Sequence, residues 1–244
     1  MRIINIPILV TVRAKTEREY KKNIALLPYV YDYLNEQQAL KYTTVISNSD
    51  KMLEHACDLG FKNTYCVHGV DEDIYHGFEV KSAYKYFTDN KIQCEWFIIL
   101  PTNQPFKGQN LLVNSIYTIN DNYDFITSYS VIKDRYAYFI DDTNSFIDKN
   151  EIINDERLHT PTVKMLDDAI YCIKYDFLKK CIASDSPHFY FWRGKFLTIQ
   201  NNAMFLPINN VEHIEQLFIA ENIFLRVKKH NEILNSKKVN NKNQ

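Results

Sequence analysis

At 244 residues the chain is long enough for one large α/β core or for two smaller domains. Its 29 lysines and arginines balance 30 aspartates and glutamates, so no global field draws it to nucleic acid or to an anionic membrane. The five cysteines are scattered, with no CxxC and no paired histidine spacing, which argues against a zinc site and against a secreted disulfide framework.

The chain opens on a strand-like run rather than a signal peptide, and no apolar stretch approaches the ~20 residues that a membrane helix needs. A cytoplasmic protein without membrane insertion is the expectation. "INIPILVTV" reads as a buried strand, followed at Arg13 by the charged run "RAKTEREYKK". That run reads two ways, as a solvated helix face or as a loop that holds an anion. "NIALLPYVYDYLNEQQAL" reads as a helix interrupted near Pro28. "YTTVISNS" is a strand, and "SDKMLEHACDLGF" is a helix with Asp50 at its N-cap and Gly60 at its C-cap. "NTYCVHG" reads as a third strand, "GFEVKSAYKYFTDN" as a helix, and the apolar "CEWFIILP" as a strand in the middle of a parallel sheet. A helix at "GQNLLVNSIYTIND" and a strand at "YDFITSYSVI" follow.

Strands separated by such helices predict parallel βαβ units, hence a three-layer α/β fold with a mostly parallel, twisted, Rossmann-like sheet. Ligands bind such sheets at the carboxyl ends of the strands, where Arg13, Ser47, His68 and Thr102 are expected to line one crevice. Beyond residue 133 the pattern loosens. An arm is expected over 133–160, then a strand leading into a helix across "DDAIYCIKYDFLKKC", a last strand at "NNAMFLPI" and a closing helix at "NVEHIEQLFIAENIFLRVKK". One domain over 1–227 and a polar tail over 228–244 complete the expectation.

Six segments, in order, resemble the CMP-sugar synthetases, the acylneuraminate cytidylyltransferase family with its Kdo and spore-coat relatives. Arg13 and Lys22-Asn23-Ile24 match the ends of the family's R-G-G-S-K-G…K-N-I signature without a gap, while Ala14, Lys15 and Thr16 replace Gly-Gly-Ser. "VISNSDKMLEHACDLGF" is similar to the second strand and helix, and "HGVDEDIYHGF" to R-G-S-E-D-D-V-L-x-R. "ILPTNQPFKGQNLL" matches L-Q-P-T-S-P-L-R, and "ERLHTPTVKMLDDAIYCIK" matches R-Q-x-L-P…N-G-A-I-Y-I. "NNVEHIEQLFIAE" covers the D-I-D motif and its helix.

The resemblance implies transfer of CMP from CTP to a sugar-like acceptor with release of pyrophosphate, for surface-glycan synthesis. It places Arg13, Lys15, Thr16, Lys22, Asn23 and His68 on the nucleotide, with Arg13 and Lys22 catalytic. Gln104, Arg157 and Asp167 fall on the acceptor side, and Asn210 and Glu212 fall where Mg²⁺ is held. Each has a plainer reading: His68 as a structural histidine, Arg157 in a surface salt bridge, Asn210 as the N-cap of a helix. Asp167-Asp168 replaces the family's Asn-Gly, which disfavours an acidic sugar and points to a neutral, phosphorylated or amino-bearing acceptor. The missing glycines raise a second possibility, a nucleotide-binding homologue with impaired catalysis. Asp141-Asp142 raises a third, a glycosyltransferase that consumes a finished nucleotide sugar, against which stands a simple hairpin turn. Analogy with the family also allows a homodimer.

Overall fold

The computed structural model describes residues 6–70, 77–132, 163–184, 191–202 and 216–218. The expected arm and tail, Asp141-Asp142, Arg157, Asn210 and Glu212 lie outside the described residues, as does the expected last strand from residue 203 onward.

Seven strands form one sheet: β1 (Ile8–Val12), β2 (Thr43–Ser47), β3 (Thr64–Cys66), β4 (Trp96–Ile99), β5 (Phe125–Ile132), β6 (Val163–Lys174) and β7 (Phe196–Gln200). Their spatial order is β3-β2-β1-β4-β6-β5-β7. β1, β2, β3 and β4 pair in parallel, β5 and β7 pair in parallel, and β6 runs antiparallel to both of its neighbours, β4 and β5. The mostly parallel α/β sheet expected from the sequence is therefore present, with one reversed strand in its interior.

The helices are α1 (Glu17–Glu36), α2 (Asp50–Leu59), α3 (Gly77–Asp89), α4 (Leu111–Tyr117) and α5 (Tyr175–Ile182). Alternation along the strands explains the three layers. Ile8, Val10 and Val12 of β1 and Trp96 and Ile98 of β4 meet Leu27, Val30, Leu34, Met52, Ala56, Leu111 and Leu112, from α1, α2 and α4. Leu9, Phe97 and Ile99 point the other way, into Phe78, Val80, Phe87, Phe177 and Leu178, from α3 and α5. Phe191, 2% exposed, stacks on Phe125 with ring centroids 4.4 Å apart and closes this second core.

Three local expectations are revised. α1 runs unbroken through Pro28: a proline removes one helical hydrogen bond, but Leu26, Leu27 and Val30 around it are fully buried and hold the segment down. The same helix starts at Glu17, so "EREYKK" is helix rather than loop. Finally, α2 is capped by Ser49, one residue before Asp50, while Gly60 ends it at φ +108° as expected. A side chain at Gly60 would also strike the Tyr31 hydroxyl, 2.7 Å from the position of a Cβ.

Candidate functional site

The chain turns between β1 and α1 over only four residues, Arg13 to Thr16. Thr16 caps α1: its Oγ1 accepts from the Glu19 amide at 3.2 Å, and the Glu19 carboxylate reaches back to the Thr16 amide at 3.1 Å. This capping box satisfies donors that a helix start leaves open. Here it is extended. Glu19 Oε2 also accepts from the Lys15 amide at 2.9 Å, and Oε1 accepts from Arg13 Nε at 2.8 Å and from Arg13 Nη2. Burial works to raise the Glu19 pKa, but the Arg13 guanidinium and the Thr16 and Lys15 amides outweigh it and hold the carboxyl below its ordinary value. Two successive backbone amides and a guanidinium thus converge on one oxyanion at the carboxyl end of β1, and that oxyanion is a side chain of the same chain.

The turn is fixed from both sides. The Ala14 amide donates to Asn48 Oδ1 at 2.9 Å, across to the β2–α2 turn. Asn23, 5% exposed, donates from Nδ2 to the Arg13 carbonyl at 2.7 Å and accepts from Thr102 Oγ1 at 2.8 Å. One buried amide therefore links the ends of β1 and β4. Thr16, Arg18, Glu19 and Lys22 line an open cavity of about 260 Å³ beside this turn. Lys21 faces away, 3.5 Å from Glu17 in an exposed pair.

The loop after β4 carries Gln104, which is 1% exposed and whose Oε1 meets no donor among the described residues. Lys107 is half-buried, and its Nζ donates to the Pro101 carbonyl at 3.0 Å and to the Gln104 carbonyl. Desolvation lowers the Lys107 pKa to about 7, against a smaller pull upward from Asp167.

Asp167, expected on the acceptor side, is held in a buried hydrogen-bond network. It is 4% exposed, and its carboxylate accepts from Ser128 Oγ at 2.5 Å, Ser130 Oγ at 2.6 Å, Asn201 Nδ2 at 2.9 Å and the Ala169 amide at 3.2 Å. The residue anchors a bulge in β6, where Asp168 takes φ +54° and the register with β5 shifts between Thr127 and Tyr129. Asn201 carries the network onward by accepting from the Gly108 amide at 2.8 Å. Nothing in a D-D dipeptide announces such an anchor.

His68 is exposed, two residues beyond the end of β3, with Nδ1 3.7 Å from Cys66 Sγ. The Asp50 carboxylate lies with them, all three donor atoms within 4.8 Å of one another. Burial, then the hydrogen bond to Asp50, pushes the Cys66 thiol up to about 11. The sequence therefore brings together Arg13, Thr16, Lys22 and Asn23, with Lys15 contributing its amide, while His68 stands in a separate group. Glu19 was missed, although the spacing Thr16-x-x-Glu19 is a capping-box signal.

No family model matches the chain, and no curated protein matches it. Solved structures do. The chain is similar to a CMP:2-keto-3-deoxy-manno-octonic acid synthetase complexed with CTP, with a TM-score of 0.59 and 11% identity over 91% of this chain and 98% of that one. It is similar to HddC from Yersinia pseudotuberculosis complexed with GMP-PN, with a TM-score of 0.54 and 12% identity over 90% and 99%. It also spans about half (51%) of the bifunctional IspDF from Campylobacter jejuni, with a TM-score of 0.52 and 13% identity over 84% of this chain. These likenesses show the fold alone: the chain shares the α/β sheet architecture of those three structures.

Proposed function

We propose that the protein is a nucleotidyltransferase that moves CMP from CTP to a sugar-like acceptor with release of pyrophosphate. The observation that carries this reading is the convergence of Arg13 and the Lys15 and Thr16 amides on a single oxyanion at the carboxyl end of β1. Helix starts and backbone amides of this kind suit phosphate, and a guanidinium adds a charge-assisted partner. A chain of the same fold is complexed with CTP in the octonic acid synthetase. HddC, complexed with GMP-PN, makes the base the more open part of the proposal.

In this reading an acceptor hydroxyl attacks the α-phosphorus and pyrophosphate leaves. Arg13 and Lys22 offset the charge that builds on the phosphoryl oxygens, and Asn23 holds the Arg13 backbone in place; such transfers depend on positioning and electrostatics. Gln104, whose buried oxygen meets no donor among the described residues, is assigned to the acceptor side together with Arg157. Mg²⁺ in this chemistry offsets phosphate charge. Asn210 and Glu212, the residues assigned to it, lie outside the described residues, and the sulfur- and nitrogen-bearing group at Asp50, Cys66 and His68 does not suit it.

One observation favours the second reading, a nucleotide-binding homologue with impaired catalysis: Glu19 already fills the oxyanion position. Mixing the protein with each of the four nucleoside triphosphates, Mg²⁺ and a panel of neutral, phosphorylated and amino sugars separates the two. Pyrophosphate release that needs both CTP and an acceptor is the expected result. Binding of a triphosphate without release in any combination supports the impaired homologue, and indifference to all four triphosphates overturns both.

A further inference from the structure

We propose that Asp50, Cys66 and His68 form a binding site for a single divalent ion of the zinc class. The three donors come from two elements whose relative position is set by backbone bonds. Ser47 of β2 pairs with Cys66 of β3, and the Val67 amide donates to the Ser47 carbonyl at 2.8 Å, so the end of β3 is tied to the strand that leads into α2. On the other side the Ser49 amide donates to Ser47 Oγ at 3.2 Å, and Ser49 caps α2 through the Met52 amide, which places Asp50 as the first residue of the helix. Cys66 and His68, two apart at a strand end, present their side chains to the same side. Gly69 then takes φ +76° and turns the backbone away. The site is built at the carboxyl end of β2 and β3 and does not involve the Arg13–Glu19 turn.

The distances fit. Zinc bonds of about 2.3 Å to sulfur and 2.0–2.1 Å to nitrogen, at a tetrahedral angle, put the two ligand atoms roughly 3.6 Å apart; Cys66 Sγ and His68 Nδ1 are 3.7 Å apart. The carboxylate lies within 4.8 Å of both, and Asp50 and His68 are exposed side chains free of core packing. The donor set selects the ion. Sulfur and imidazole favour zinc and its neighbours in the transition series over magnesium or calcium. A thiolate and a carboxylate together balance two positive charges, and three protein ligands leave a four-coordinate ion one position for water or an exogenous oxygen. His68 is then a metal ligand rather than a nucleotide contact. The inference stands independently of the nucleotidyltransferase reading, since it is tested with no nucleotide present.

The probe is Co²⁺ added to the full chain after chelation and removal of the chelator. One equivalent is expected to produce the near-ultraviolet band of a cobalt–thiolate bond and the intense visible bands of tetrahedral Co²⁺. Zn²⁺ should abolish both at one equivalent, and Mg²⁺ in large excess should abolish neither. C66S should lose the thiolate band, H68A should weaken Co²⁺ binding by at least about tenfold, and C57S, altered at an exposed cysteine in α2, should behave as the parent. H68A alters only an exposed side chain and serves if C66S proves unfolded by circular dichroism. Absence of a thiolate band in the parent, its persistence in C66S, or unchanged affinity in H68A overturns the proposal.

Discussion

Glu19 makes two demands on one carboxylate. As a helix cap it satisfies the Lys15 and Thr16 amides, and as an ion-pair partner it holds Arg13. A bound phosphate would use the same three donors, so it must compete with an anion already in place. E19Q retains an oxygen for the amides but discards the charge. It is expected to tighten binding of inorganic triphosphate several-fold by calorimetry while lowering stability by about 1 kcal/mol, the usual scale of a weakened cap. R13A should abolish triphosphate binding. Equal affinity in E19Q and the parent would mean that phosphate does not enter this turn.

Lys107 supplies a pH signature. Its folded pKa of about 7 lies well below the ordinary lysine value of 10.5 because its amine is desolvated. Between these values the unfolded chain holds more protons than the folded one, so this group makes stability rise with pH. Above the ordinary thiol value of 9.0 the buried Cys172 and Cys181, both raised to about 12, act in the opposite sense. The melting temperature should therefore climb between pH 7 and about 8.5. K107M, which needs no proton inside the loop, should flatten that climb.

At the scale of elements the reversed strand β6 depends on Asp167. Its carboxylate accepts only, and two of its partners, the Ala169 amide and the Asn201 side-chain nitrogen, can only donate. An amide in its place would turn its own NH₂ toward one of them. D167N is expected to lose about 2–4 kcal/mol in denaturant unfolding, the range for breaking a buried charged network. A variant of parental stability with a raised KM for the acceptor would instead support the acceptor-side role.

The elements also divide what the sequence discloses from what it hides. β1, β4, α2 and α3 are legible because each is an uninterrupted apolar run or a clean helical period, with Gly60 closing α2. α1 was read as broken because Pro28 has a strong local meaning that the buried Leu26, Leu27 and Val30 override. β7 escaped notice because its residues are only half-buried or exposed, so "FLTIQ" lacks the apolar density of a central strand. Arg13, Lys22 and Asn23 were legible as a motif. Asp50, Cys66 and His68 were not, since spacing rules for metal ligands assume neighbours in sequence, whereas Asp50 joins the other two through the β2–β3 pairing.

On the scale of the whole molecule, a single sheet carries a hydrophobic layer on each face, and every nucleotide contact proposed sits at one rim of it. Among the described residues no helix is long and apolar enough to cross a membrane. Ligand binding at such a rim stabilises the whole cooperative unit. At about a hundredfold excess over Kd, a triphosphate should add about 2.7 kcal/mol, which for a chain of this size is a rise of roughly 5–11 °C in Tm. Differential scanning calorimetry with CTP checks this, and an unchanged Tm at saturating CTP counts against the site.

The reversal of β6 also has a topological outcome. Because Ile132 pairs with Val163 in antiparallel register, the chain departs from the sheet and rejoins it at adjacent posts on the crevice side. The two strand ends thus stand like neighbouring pegs, one where the chain leaves the sheet and one where it returns. A strand that returns beside the one it left needs no crossover, so the rungs from Ile132–Val163 inward tie β5 to β6 by their own backbone bonds.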